Sequence, residues 1–480
     1  MSDNIEELTI RDIQAAFESG AATSRSLTLQ YMDRIARFDR SGPGLNAVLE
    51  LNPDALFLAE RCDQERAAGR SRGWLHGVPV LLKDNINTYD NMHTSAGSLA
   101  LADSFAPSDA FLVTRLREAG AVILGKANMT EWANFMTRGM PNGYSSRGGQ
   151  VLNPYGPGRF PAGGSSSGSA VAVAANLCAV AVGTETSGSI LNPACRNSLV
   201  GIKPTLGLIS RSGLIPITYS QDTAGPLART VEDAAILLGV LAAAPDPADA
   251  STLAAPNRSG LDYLAALDAD GLRGARIGVN RGYLDDFSEE EKGLIEAALD
   301  RIRAAGATLV EGTDLPHVGG NSSVLLYEFK SALNRYLASL GPHAPVKTLR
   351  DVIEFNHRHL GAALKYGQTL LLKAEYETSG TLTEARYIQD RLRDLRVSRE
   401  EGLDRLFREH RLDALFCPGV TDSAAVSGYP SVIVPAGCRE DGMPFGVAFT
   451  GLAYTEPQLL RLAYAFEQTA GGRIRPKLEG

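Results

Sequence analysis

Residues 163–190 read GGSSSGSAVAVAANLCAVAVGTETSGSI. Three pieces follow one another there. Residues 163–168 form a loop of glycine and serine. Residues 169–177 carry mostly small side chains and predict a helix, and residues 179–182 predict a strand. Gly183-Thr184-Glu185-Thr186-Ser187-Gly188-Ser189-Ile190 is then a tight turn directly after that strand. Small residues on both helix and strand predict very close packing at the centre of the fold, because backbones approach only where no bulky side chain intervenes.

Working outward, strand and helix signals alternate. On the N-terminal side, residues 78–82 read as a buried strand ending in Lys83, residues 110–118 as a helix, and residues 121–124 as a strand. Residues 129–135 read as the start of another helix. Thr9 caps a helix with Ile10, Ile13 and Phe17 on its apolar face, stopped by Gly20. Leu27, Tyr31, Ile35 and Phe38 mark a second, ended by Ser41-Gly42-Pro43-Gly44. On the C-terminal side, Thr230 opens a helix running to about Ala244. A βαβ pattern follows, with a strand at residues 277–279, a Ser288/Glu291 capping box and a strand at 307–310. Residues 324–410 read as mostly helical. Their interleaved charges from Gln389 onward read as a solvated face. Strands return at 414–416, 431–434 and 446–449, and a final helix starts near Gln458. The fold class is α/β.

Bulk properties exclude several roles. The 480 residues carry a formal net charge of −8, which argues against a nucleic-acid partner. It gives no reason to expect an anionic membrane surface either. Residues 1–14 are acidic and lack the apolar core of a signal peptide, and no apolar run is long enough to span a bilayer. A cytoplasmic location is expected. The five cysteines lack metal or redox spacing and are expected to be buried free thiols. His357 and His359 are spaced so that they do not share one helix face, so no metal is expected.

Three features bear chemistry: Lys83 after its strand, the serine loop around Ser165, and the turn holding Ser189. Singly, each has an ordinary reading as a surface charge, a linker or a helix cap. Competing motifs fail on context. Gly164-Ser165-Ser166-Ser167-Gly168 fits G-x-S-x-G, but residues 154–161 make a poor strand before it. No Gly-Lys-Ser/Thr follows the glycine-rich loop, and no dinucleotide fingerprint follows a strand. No histidine sits in a motif-like setting. A serine nucleophile would therefore use lysine as its base, kept neutral by burial.

Taken together, these segments resemble the amidase-signature family. The matching stretches are residues 77–83, 163–166, 183–190 and Gly201-Ile202-Lys203-Pro204-Thr205, with further matches at 120–128, 220–226, 428–437 and 442–451. The similarity spans about residues 8–470. It implies one amidase-signature domain over 1–480, with a large central mixed β-sheet covered by helices on both faces. The signature core would lie at 70–230, and the helical region 320–410 would border the substrate pocket. By the same resemblance, Ser189 is the nucleophile, Ser165 a bridging serine after a cis peptide bond, and Lys83 the general base. Backbone N–H groups of Thr186, Ser187, Gly188 and Ser189 form the oxyanion hole. Ser166, Thr184, Asp84 and Asn85 are supporting residues. Neither cofactor nor metal is implied. The substrate is a small-molecule or peptide amide, and the chain is a monomer or homodimer.

Residues 81–100, Gly148-Gly149-Gln150, Glu185-Thr186 and residues 326–330 are most similar to bacterial peptide amidases, which remove the C-terminal carboxamide of peptides. Ser187-Gly188, Leu191-Asn192 and a shortened segment at 418–425 depart from the relatives, and that segment should border the pocket. Alternatives are a broad aryl, alkyl or acyl amidase or esterase, an amidotransferase subunit, and a catalytically inactive scaffold.

Overall fold

Short runs of β-branched and small apolar residues become strands throughout the chain. The computed structural model describes residues 5–256, 262–318, 322–469 and 472–478. Its strands are β1 (Val48–Leu51), β2 (Pro79–Lys83), β3 (Val122–Ala127), β4 (Tyr144–Ser145), β5 (Gly149–Gln150), β6 (Val180–Glu185), β7 (Val200–Lys203), β8 (Thr223–Ala228), β9 (Arg276–Val279), β10 (Thr308–Val310), β11 (Ala414–Pro418), β12 (Ser431–Cys438) and β13 (Pro444–Thr450). β4 and β5 form a small hairpin. The other strands make one 11-stranded sheet in the order β1-β3-β2-β6-β8-β7-β12-β13-β11-β9-β10.

The sheet is mixed. β3, β2 and β6 run parallel to their neighbours within that group, as do β11, β9 and β10. The strands between them pair antiparallel. Every residue of β2, β3, β6, β7, β8, β11 and β13 is buried. A strand buried at every position has both of its faces covered, so the sheet is sandwiched between other elements.

The small-residue helix spans Ser167–Ala174, and all of its residues are buried. It begins two residues earlier than its sequence pattern suggests. The close packing is real. A Cβ on Gly168 would lie 2.3 Å from the Ala47 carbonyl oxygen and 2.4 Å from that of Asn128. A separate apolar cluster joins Trp132, Phe135, Met136 and Ile217 to Phe329, Leu333 and Leu371. The mostly helical region thus has its own core beside residues 132–136.

Two local expectations need correction. Residues 129–135 do not open an α-helix. Only a short tight turn, Glu131–Asn134, forms there, and Trp132, Ala133 and Asn134 take left-handed backbone conformations with φ of 50°, 53° and 75°. The Trp132 N–H is instead bonded to the Ala96 carbonyl at 3.0 Å. The charged run after Gln389 is not wholly a solvated face either. Asp390 and Asp394 are buried, accepting hydrogen bonds from Ser323 and Ser322 respectively. All five cysteines are free thiols. Four are buried and Cys438 is partly exposed. Among the described residues, no helix is long and apolar enough to cross a membrane.

Candidate active site

Lys83 is the last residue of β2, and Thr184-Glu185 ends the adjacent parallel strand β6. That pairing brings the lysine beside the start of the serine turn. The Lys83 side chain has no solvent exposure. Its Nζ lies 2.7 Å from Ser165 Oγ and donates to the Thr184 carbonyl at 3.0 Å. Burial pulls the ammonium down to a pKa of about 7, against the opposing pull of Glu185 and Asp222. Near neutral pH a substantial fraction of this side chain is therefore the neutral amine, within hydrogen-bond distance of a serine hydroxyl.

Ser165 follows a cis Gly164–Ser165 peptide. Its carbonyl accepts from Thr130 N–H at 3.0 Å. The neighbouring Ser166 hydroxyl donates to the Thr184 carbonyl at 3.0 Å, and the Ser166 N–H donates to the Ser189 carbonyl at 3.1 Å. The loop and the turn are thus stitched together backbone to backbone. Asn85 Nδ2 donates to Thr184 Oγ1 at 3.0 Å, tying the segment after Lys83 to the same strand end. Asp84, expected alongside these, faces elsewhere. Its carboxylate accepts from Ser95 and from Gly97 N–H and lies 3.6 Å from Arg147.

Glu185 organises the turn, a role that the sequence pattern did not suggest. Its carboxylate accepts from the backbone N–H groups of Gly188 (2.9 Å), Ile190 (2.7 Å) and Leu191 (3.0 Å). The positive φ of Gly188, 75°, lets the chain wrap around that carboxylate. The Gly188 N–H, one of the four expected oxyanion donors, is thus occupied by that carboxylate in this structure. Thr186 Oγ1 donates to Asp222 at 2.6 Å, and Ser187 Oγ donates to Asp422 at 2.5 Å. Asp422 lies in the shortened 418–425 segment, so that segment does border the turn. The hydroxyls of Ser165 and Ser189 share no hydrogen bond among the described residues. Catalytic bonds in unliganded sites commonly tighten only once substrate is seated.

Ser189 opens onto a cavity of about 300 Å³. Its walls include Asn134, Phe135, Asn142, Asn192, Ile217 and Val420. Leu325, from the mostly helical region, also lines it, and none of the lining residues is charged. The left-handed Ala133 and Asn134 form part of this wall, and no pattern in the sequence signals that.

Residues 26–425 match the family model described as Amidase. The chain belongs to the amidase family. It is a hydrolase acting on amides. It is 42% identical to a curated relative named a probable amidase, from Arabidopsis thaliana, over 99% of this chain and 92% of the relative. The X-ray structure of native peptide amidase from Stenotrophomonas maltophilia is similar with a TM-score of 0.95 and 47% identity, covering 100% of both chains. A glutamyl-tRNA(Gln) amidotransferase subunit from Thermosynechococcus vestitus is 34% identical over 93% of this chain and 95% of its own. In this amidase the large mixed sheet matches the fold of the peptide amidase structure.

Proposed function

We propose that the protein hydrolyses the C-terminal carboxamide of peptides through an acyl-enzyme on Ser189. Neutral Lys83 accepts a proton from Ser165, which accepts one from Ser189, and Ser189 Oγ attacks the amide carbonyl. Backbone N–H groups of the turn stabilise the oxyanion, an effect worth about 3 kcal/mol per donor. The relay returns the proton to the leaving nitrogen, the C–N bond breaks, and ammonia departs. Water then attacks the ester with the same relay as base, and the acid leaves as Ser189 regains its proton.

The observation that carries this reading is a wholly buried lysine, pulled to about 7, within 2.7 Å of a serine hydroxyl. The cavity supports the substrate class. An uncharged wall favours a neutral carboxamide over a peptide ending in a free carboxylate, whose charge would be desolvated there without a cation to answer it. Asn134, Asn142 and Asn192 offer amide groups that can both donate to and accept from a peptide backbone. The 47% identity to a peptide amidase points the same way.

The test is hydrolysis of a substrate panel, read as ammonia from blocked dipeptide amides and simple aliphatic amides, as arylamine from anilides and as alcohol from esters, with Ser189→Ala run alongside. Peptide amides should be turned over with the highest kcat/KM, and Ser189→Ala should lower the rate by about 10⁴-fold or more. Preference for anilides or aliphatic amides would favour the broad amidase. Full activity in Ser189→Ala would overturn the nucleophile.

A further inference from the structure

A second cavity, of about 410 Å³, shares no lining residue with the one at Ser189. Arg159, Arg196 and Arg439 line it, with Phe160, Pro161 and Met443 as its apolar part and Asp441 as its acid. Three arginines meet at one cavity of a chain whose net charge is −8. Arg439 is already answered, by Asp441 at 2.9 Å, Glu291 at 3.6 Å and Glu290 at 3.8 Å. The other two are not. Among the described residues Arg159 donates only to the Asp441 backbone carbonyl, at 2.9 Å, and its guanidinium lies over the Phe160 ring. The half-buried Arg196 side chain has no hydrogen bond or ion pair among the described residues. The exposed Arg159 and the half-buried Arg196 thus line one cavity with no ion pair to a carboxylate among the described residues.

The place of this cavity in the chain gives it a consequence. Residues 159–161 lead directly into the loop that carries Ser165. Arg196 ends the helix Leu191–Arg196, which starts just beyond Ser189 and Ile190. Asn153 Nδ2 donates to both the Pro161 and the Arg196 carbonyl, each at 2.9 Å. Asn197 Nδ2 likewise donates to Ala162 and Pro193, each at 2.8 Å. Two asparagine amides thus clasp the segments that bear the two serines, and the free arginines sit at their far ends.

We propose that this cavity binds a phosphate-type oxyanion, free or as the end of an organic ester, and that the bound ion braces the two serine-bearing segments that Asn153 and Asn197 already clasp. A tetrahedral dianion presents more acceptor oxygens than a carboxylate, and guanidinium forks match them in pairs. Phe160, Pro161 and Met443 suit the organic part of an ester. The site stands independently of the chemistry at Ser189.

Isothermal titration calorimetry of the full chain with inorganic phosphate, phenyl phosphate and citrate, at low ionic strength, tests it. One-to-one saturable binding of phosphate or phenyl phosphate is expected, with a rise in Tm on binding. Tighter binding of phenyl phosphate would identify the ester as the source. Arg159→Gln and Arg196→Gln should each weaken binding by roughly tenfold while leaving basal amide hydrolysis intact. Should either variant fail to fold, wild-type crystals soaked in tungstate should show density between Arg159 and Arg196. The proposal is overturned if wild type binds neither phosphate, if citrate alone binds, if both folded variants bind like wild type, or if soaked crystals show nothing there.

Discussion

At Lys83 the amine has lost all contact with solvent, and desolvation lowers its pKa from 10.5 to about 7. A general base must be neutral to accept a proton, and its neutral fraction grows as pH rises through its pKa. The proposed relay therefore predicts kcat/KM that climbs with pH, with an apparent pKa near 7, and levels off above about 8. A steady-state profile on a peptide amide checks this, and a flat line between about pH 5 and 9 would contradict it. Lys83→Ala should cost about 10³-fold in kcat and abolish that limb. Lys83 as a candidate base was legible from its place after a buried strand. Neutralisation by burial was expected from the same strand, but its completeness was not legible, because desolvation depends on what packs over the side chain from distant parts of the chain.

At the scale of elements, the serine turn is held from inside by Glu185. Three backbone N–H groups converge on one carboxylate, so the turn keeps its shape without substrate. Glu185→Gln puts an amide donor where an acceptor is needed. It should lower kcat by about 10- to 100-fold, since small misplacements of a nucleophile are costly. Stability should fall by about 1–3 kcal/mol. Kinetics and denaturant unfolding separate the two effects; unchanged kcat would mean that the turn is shaped by other contacts. The helix Ser167–Ala174 provides a second test. Gly168→Ala forces a methyl against two carbonyl oxygens of the backbone, which cannot yield as a side chain can. A loss of about 1–3 kcal/mol is expected in chemical denaturation. The small-residue pattern alone was enough to announce that close approach, because it is a statement about size. The left-handed turn at Trp132–Asn134 was illegible, because tryptophan and alanine carry no preference for that conformation.

Over the whole molecule, the apolar cluster around Phe329 links the mostly helical region to the cavity. Phe329 is fully buried, and its ring centroid lies 4.6 Å from that of Phe135, which lines the cavity at Ser189. Phe329→Ala should destabilise the protein by about 3–5 kcal/mol. By loosening the Phe135 wall it should also raise KM for peptide amides more than it lowers kcat. Thermal unfolding with parallel kinetics measures both, and an unchanged KM would disconnect the helical region from substrate binding. Legibility at this scale was mixed. The alternation of strand and helix signals indicated an α/β sheet. The strand order was not readable, since pairing joins segments far apart in the chain.

Local features of this protein were set by the sequence itself: most of its strands (β1, β4, β5, β7 and β8 went unread), most of its caps, the small-residue packing at residues 163–190, and the motif residues of the family. Such features depend on neighbours a few positions away, so a linear reading captures them. Tertiary structure alone decided that Lys83 meets Ser165 across 82 positions, that Asp84 turns away to Arg147, and that the Gly188 N–H is spent on Glu185. It also decided that Arg159 and Arg196 share one cavity. Each of these turns on burial or on direction in space, and both are properties of the packed chain as a whole.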